Sequence, residues 1–156
     1  MLMSRITLAV SAVAIVALGL GVAAQQKPAA AGPKVTVYKT SSCGCCRLWI
    51  DHMKSSGFDV QAMDVSSADV RAVSKAAGLK DEDTSCHTAK IGAYVVEGHV
   101  PADDIKRMLK EKPAIAGLSA PGMPQGSPGM EQGTKEPYDV IAFTKDGRST
   151  VFAKHK

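Results

Sequence analysis

Apolar and polar residues alternate over 35–38, which predicts a β-strand over 35–39 that ends in the polar residues 40–42. Beyond the cysteines that follow, apolar residues recur at the spacing of one helical face, and residues 55–57 end this helix. The apolar positions are Leu48, Trp49, Ile50, Met53 and Phe58. The first third of the patterned chain is therefore a strand, a cysteine-rich turn and a helix.

The same two periodicities predict further elements along the chain. They are, in order, a strand over 59–65, a helix over 68–77, a hairpin of residues 86–91 and 94–97, and a helix that begins at Pro101. We expect Ser66 or Ser67 to cap the helix over 68–77, because a serine side chain accepts a hydrogen bond from the first helical turn.

Residues 113–137 contain five prolines and five glycines, so we predict a long Gly/Pro/Met loop without regular structure of its own. A hairpin of residues 139–144 and 149–153 closes the chain. The order β-α-β-α-β-β-α, with cysteines after the first strand, predicts an α/β, thioredoxin-like fold with an extra C-terminal β-hairpin. We expect residues 34–156 to form a single domain.

The first 24 residues have the composition of a secretory signal peptide. Arg5 gives a positive start, residues 6–22 carry no charge, and small residues favour cleavage after Ala24. Residues 25–33 are rich in Pro, Ala and Gln and predict a disordered linker. We therefore expect an exported protein that touches a membrane only if its signal stays uncleaved. In an oxidising compartment its cysteines are normally paired or metal-bound.

The charge of the chain argues against one class of partner. The formal net charge is +4, which falls by one to +3 when Arg5 leaves with the signal, and only 4% of residues are aromatic. Nucleic-acid binding usually needs a strong basic patch and aromatic side chains that stack on bases. We therefore predict no nucleic-acid partner.

Three of the four cysteines lie together in Cys43-Gly44-Cys45-Cys46. Cys43 and Cys46 form a CxxC pair, and the N-terminus of the next helix lowers the pKa of the leading thiol, which indicates thiol-disulfide exchange. Cys45 adds a competing disulfide partner and a further metal ligand. In the thioredoxin-like plan the loop before the third strand faces this turn, so we predict that Cys86 lies beside the cluster.

Such a thiolate cluster suits copper(I), because soft sulfur ligands select it over harder cations, and four cysteines can hold more than one copper ion. Three other interpretations stay open. Cys86 can form a structural disulfide with one of the other three, the cysteines can be buried and unreactive, or they can form a structural zinc site. Zinc sites, however, usually take their ligands from two separated pairs.

Four more residues are secondary candidates. His87 is either a ligand or proton relay or a hydrogen-bonded structural residue, because in an extended segment its side chain would point away from that of Cys86. His99 is either a site residue or simply precedes a helix. Met123, between Gly122 and Pro124, and Met130, which follows Pro128-Gly129, either donate a thioether to copper or pack as a lid over the cluster.

Several motifs along the chain resemble the CopG-like family of exported bacterial metal-binding proteins. They are Val37-Tyr38-Lys39, Ser42-Cys43-Gly44-Cys45-Cys46, Ser85-Cys86-His87-Thr88-Ala89, residues 94–105, and Pro121-Gly122-Met123-Pro124 with residues 126–131. The resemblance implies a thioredoxin-like periplasmic protein of copper homeostasis or resistance. It also implies that Cys43, Cys45, Cys46 and Cys86 hold a multinuclear copper(I) thiolate cluster linked to disulfide redox chemistry, and that other periplasmic copper-handling proteins are possible partners.

Two functional hypotheses follow. In the first, the four cysteines bind copper(I) when reduced and form disulfides when oxidised, so that the protein is a copper-binding protein with possible oxidoreductase activity. In the second, the protein is a thiol-disulfide oxidoreductase acting on protein disulfides, with Cys43 as the nucleophile and Cys46 or Cys86 as the resolving thiol. A third class, a metal-independent binding module held by disulfides, predicts no metal affinity.

Overall fold

The computed structural model describes residues 32–156. The helices of this part of the chain are α1 (Gly44–Ser55), α2 (Ser67–Ala76) and α3 (Ala102–Glu111), with one turn of 3₁₀ helix at Asp81–Asp83. The strands are β1 (Lys34–Lys39), β2 (Asp59–Asp64), β3 (His87–Ile91), β4 (Tyr94–Gly98), β5 (Gly117–Ala120), β6 (Tyr138–Phe143) and β7 (Ser149–His155).

The strands form one sheet in the order β2-β1-β3-β4-β5-β6-β7. Strands β1 and β2 are parallel, which requires a crossover, and α1 supplies it. Strand β3 lies antiparallel to β1 and forms a hairpin with β4. The first four strands with α1, α2 and α3 therefore have the thioredoxin-like arrangement, and the predicted α/β fold class is confirmed.

Local signals account for the ends of the helices near the site. Cys43 is the N-cap of α1, and its sulfur accepts a hydrogen bond from the Cys46 N–H at 3.3 Å. Of the two predicted caps of α2, Ser66 is the one used, and its hydroxyl accepts from the Asp69 N–H at 3.1 Å. Pro101 precedes α3, where its lack of an N–H costs nothing.

The core joins α1 and α3 to the middle of the sheet. Trp49 and Met53 of α1 and Ile105 and Met108 of α3 are fully buried in one hydrophobic cluster with residues of β1, β3 and β4. Trp49 follows Cys46 by three positions, about one helical turn. The cysteine turn is therefore anchored directly on the core.

The predicted long loop of residues 113–137 is wrong in one respect, because β5 lies within it and pairs with both β4 and β6. All four residues of β5 are buried, so it lacks the alternation of a half-buried strand. A Cβ at Gly117 would lie 1.7 Å from the Val95 carbonyl oxygen, which explains why a residue without strand propensity stands there. The predicted C-terminal hairpin is confirmed as β6 and β7.

The predicted signal peptide, residues 1–24, lies outside the described residues, as do residues 25–31 of the predicted linker. Within residues 32–156, none of the helices has the length and apolar character needed to cross a membrane.

Candidate metal centre

The cysteine turn lies at the N-terminus of α1, where helical N–H groups and the helix dipole favour negative charge on sulfur. Cys43 and Cys46 are joined by a disulfide. Cys46 is completely buried, whereas Cys43 and Cys45 are partly exposed. Cys45 and Cys86 are free thiols. The turn therefore combines one oxidised pair with one accessible free thiol.

Cys86 lies beside this turn, so the predicted convergence is confirmed. Its Sγ lies 3.6 Å from Cys46 Sγ and 3.8 Å from Cys45 Sγ. Cys45 Sγ lies 3.6 Å from Cys43 Sγ. All four sulfurs fall within 4.8 Å of one another, although 40 residues separate Cys46 from Cys86.

The donor set of the four cysteines fits a soft metal ion. Sulfurs this close can bridge several ions of the copper(I) type, whereas a single tetrahedral ion such as zinc would use them as terminal ligands. Disulfide sulfurs are poor ligands compared with thiolates, so Cys43 and Cys46 must be reduced before all four cysteines can bind.

Cys86 itself carries its proton at neutral pH in the metal-free protein. Burial, followed by the neighbouring Cys45 thiol, raises the pKa of Cys86 to about 12. A metal ion that binds there must displace this proton, because the thiolate is the ligand form.

His87 departs from the geometry that an extended segment predicts. Strand β3 begins at His87 and Cys86 lies in a bend, so the alternation of side chains does not extend to Cys86. As a result His87 Nδ1 lies 3.4 Å from Cys86 Sγ. His87 is fully buried, with its ring centroid 4.5 Å from that of Trp49. Burial, and then the nearby His99, lowers the pKa of His87 to about 3, so the imidazole is neutral.

His99 also lies at the site, and its tautomer follows from its contacts. Its Nδ1 lies 2.8 Å from the carbonyl oxygen of Pro128, which can only accept, so Nδ1 carries the proton. The unprotonated Nε2 then faces Cys86 Sγ at 3.1 Å. Burial lowers the pKa of His99 and keeps the ring neutral. A neutral imidazole whose other nitrogen is fixed by a carbonyl is the usual arrangement of a histidine ligand.

Cys86, His87 and His99 form a second group of donor atoms, all within 4.8 Å of one another. Cys86 therefore belongs to both groups. Among the described residues, His87 Nε2 is the buried side-chain nitrogen or oxygen with no hydrogen-bond partner. Such an unsatisfied atom is unusual in a native fold and needs an explanation, of which a bound ion is one. The sequence left the role of each histidine open, because the two come from the ends of different strands.

The long loop covers the cysteine turn on one side. Gly129 has a φ of +87°, and a Cβ there would lie 2.8 Å from the Cys45 carbonyl oxygen and 2.9 Å from the Trp49 nitrogen. Met123 is 53% exposed and lines an open cavity of about 260 Å³ together with Cys86. Met130 is half-buried, next to Gly129. Met123 therefore shares a cavity with Cys86.

Glu97 is a buried residue of the site region that the sequence did not indicate. It stands in β4 after two valines and is only 1% exposed. Its Oε1 accepts from the Ser85 N–H at 2.8 Å, and its Oε2 lies 2.6 Å from Thr88 Oγ1. Burial raises the pKa of Glu97 to about 7. In the sequence, Glu97 is marked only as a single acidic residue in an apolar strand.

Comparison with known proteins gives concordant results. Residues 84–130 match a family described as "Protein of unknown function, DUF411". The solved structure titled "Copper resistance protein copG- Form 1" is 39% identical, with a TM-score of 0.73, over 80% of this chain and 98% of that one. "Copper resistance protein copG- Form 2" is 40% identical, with a TM-score of 0.72, over 80% and 99%. No curated protein matches the chain. Both matches span nearly the whole solved chain, so the likeness is one of fold and not of a single motif.

Proposed function

The chain belongs to the family of the copper resistance protein CopG, and on that premise we propose that it binds copper(I) through its four cysteines and couples binding to thiol-disulfide exchange. A copper-related role agrees with the similarity to copper resistance proteins and with the cluster of sulfurs. The observation that carries the finer proposal is the approach of all four sulfurs to within 4.8 Å. The cluster is the metal site, and more than one copper ion can share its sulfurs.

The disulfide gives this site a redox function. Two thiolates, those of Cys43 and Cys46, can give one electron each to two copper(II) ions, which yields two copper(I) ions and the disulfide. The reverse reaction uses two copper(I) ions to reduce the disulfide and returns two thiolates. The remaining thiols, Cys45 and Cys86, stay available in both states.

The two histidines extend the proposed site. Because Cys86 is shared, the group of Cys86, His87 and His99 does not depend on the Cys43–Cys46 disulfide. One thiolate and two imidazoles form a donor set that suits copper. We assign His87 and His99 as ligands in the oxidised state, with Met123 and Met130 as secondary thioether candidates. Under this proposal the predicted signal peptide directs the protein to the periplasm, where other copper-handling proteins are its partners.

Anaerobic addition of copper(I) to the reduced protein tests the shared site. We expect a sulfur-to-copper charge-transfer absorption, and we expect Cys86→Ser to lower the copper(I) affinity by more than about a hundredfold, because the loss of a residue outside the first ligand layer already costs about 10- to 100-fold. Ser42→Ala, which changes an exposed residue next to the turn, is the matched control. If the absorption fails to appear, or if Cys86→Ser matches the control, the shared site is refuted.

The Cys43–Cys46 disulfide at a helix N-terminus also favours a second function, that of a thiol-disulfide oxidoreductase. The two functions differ in their need for Cys45. Reduction of an insulin disulfide that continues at the wild-type rate in Cys45→Ser would favour the oxidoreductase. We expect instead that Cys45→Ser loses copper(I) affinity and that the wild-type protein turns over insulin slowly. Comparing both assays on the same two proteins decides between the functions.

A further inference from the structure

The position of the Cys86 sulfur is not fixed by the hydrogen bonds of the sheet. The ladder between β1 and β3 begins with the pair Lys39 and His87, and Cys86 stands one residue before it in a bend. Residues 84–86 have no regular structure. Yet this sulfur lies 3.1 to 3.8 Å from two cysteine sulfurs and from Nε2 of His99. Some other contact must hold the loop in place.

The carboxyl group of Glu97 makes that contact. Its two oxygens bind Ser85 N–H and Thr88 Oγ1, the residues on either side of the Cys86-His87 pair. Glu97 and Thr88 face each other in the ladder between β3 and β4, so the carboxyl group reaches past the end of the ladder to the loop. The Ser85 N–H can only donate, and Glu97 Oε1 supplies its acceptor.

The loop is packed against β4 at the next residue as well. Gly98 has a φ of +69°, and a Cβ there would lie 2.4 Å from the Ser85 side chain. On its other side, the Ser85 hydroxyl donates to the Gly122 carbonyl, and the Gly122 N–H donates to the Thr84 carbonyl at 2.9 Å. The loop is thus held between β4 and the segment that carries Met123.

An acidic side chain is energetically unfavourable at this buried position. A buried carboxyl group costs more to desolvate than an amide, and no ion pair offsets that cost for Glu97 among residues 32–156. The contact with the Ser85 N–H requires a hydrogen-bond acceptor that is held at a fixed distance from β4. We propose that Glu97 is a positioning residue that holds Cys86 where the two ligand groups meet. The consequence for metal binding rests on the proposed copper function, whereas the positioning itself does not.

Two substitutions separate positioning from folding. Glu97→Leu removes the acceptor and keeps the volume, whereas Glu97→Gln keeps an acceptor oxygen for the Ser85 N–H and serves as the matched control. In the reduced, metal-free protein we expect Glu97→Leu to raise the alkylation rate of Cys86 several-fold relative to that of Cys45, as measured by peptide mass spectrometry. Glu97→Gln should leave this ratio unchanged. Equal ratios in all three proteins would overturn the positioning role.

Copper(I) binding provides the second measurement. With copper(I) supplied as its bicinchoninate complex, we expect Glu97→Leu to lower the copper(I) affinity at least about tenfold. The Glu97→Gln protein should keep the wild-type affinity. In a Cys86→Ser background, Glu97→Leu should have no further effect, because the residue acts through Cys86. An equal loss in both backgrounds would mean that Glu97 supports the fold in general and would overturn the proposal.

The two measurements also distinguish the failure of this inference from failure of the copper function. If the wild-type protein binds no copper(I), the alkylation ratio still reports the position of Cys86. If Glu97→Leu does not fold, Glu97→Asp replaces it, because one methylene less withdraws the carboxyl group from the Ser85 N–H while the side chain remains an acid. A Glu97→Asp protein with the wild-type alkylation ratio would then refute the role.

Discussion

Replacing Trp49 with alanine is expected to lower the free energy of unfolding by about 3–5 kcal/mol, the range found when a buried aromatic side chain is truncated. Trp49 is fully buried in the core cluster, and its Nε1–H donates to the Val100 carbonyl at 2.9 Å. The indole also covers His87. Without it, water reaches the ring, and the pKa of His87 should rise from about 3 towards its usual value. Chemical denaturation and an NMR titration of the imidazole measure the two effects.

The control for this prediction is Trp49→Phe. Phenylalanine keeps most of the apolar surface but leaves the Val100 carbonyl without its donor, which costs about 1–3 kcal/mol. The pKa of His87 should then stay low, because an aromatic ring still excludes water. A Trp49→Ala protein as stable as Trp49→Phe, or one in which His87 still titrates near pH 3, would contradict the account of Trp49 as a core residue that shields His87 from water.

The free energy of unfolding is expected to fall as the pH rises, because the buried Glu97 loses its proton. Burial raises its pKa from 4.5 to about 7, so the folded protein holds a proton that the unfolded chain has released. The stabilisation is complete below pH 4.5 and is lost as the pH rises through 7. A difference of roughly 2.5 pH units corresponds to about 3 kcal/mol. Between pH 4.5 and 8, the free energy of unfolding of the wild type should fall by this amount relative to Glu97→Gln.

The comparison with Glu97→Gln is necessary because His87 acts in the opposite direction. Its pKa is lowered to about 3, so its contribution is complete above pH 6.5 and is lost as the pH falls. The two slopes partly cancel in the wild type between pH 4.5 and 6.5, but the histidine contribution is common to both proteins and drops out of the difference. Parallel pH profiles for the wild type and Glu97→Gln would show that Glu97 ionises normally.

Local pattern was sufficient for most of the elements. The alternation at Val35 and Val37 and the apolar spacing around Trp49 correctly predicted β1 and α1, because burial of one face imposes these periods on any strand or helix. The approach of Cys86 to the turn was also predictable, since connection rules restrict how a β-α-β unit and a hairpin can share a sheet.

Strand β5 and the histidines could not be predicted in the same way. Gly117 and Ser119 do not favour strands, and β5 exists because β4 and β6 hydrogen-bond to it from both sides. The sequence left the role of His87 open, because a strand that ran through Cys86 would point the two side chains apart, whereas the ladder between β1 and β3 starts only at His87. These features depend on partners far away in the chain, about which a local pattern carries no information.

The sequence alone determined the kind of chemistry: sulfur-rich, at a helix N-terminus, on a thioredoxin-like frame, because residue types and short periods are properties of the chain itself. Tertiary structure alone decided which atoms share the site. Three groups contact Cys86 or its loop only because the ends of separate strands lie together there. They are the unprotonated Nε2 of His99, the buried ring of His87 and the carboxyl group of Glu97. These contacts depend on packing and on which strands end at the same edge of the sheet, and sequence spacing does not encode them.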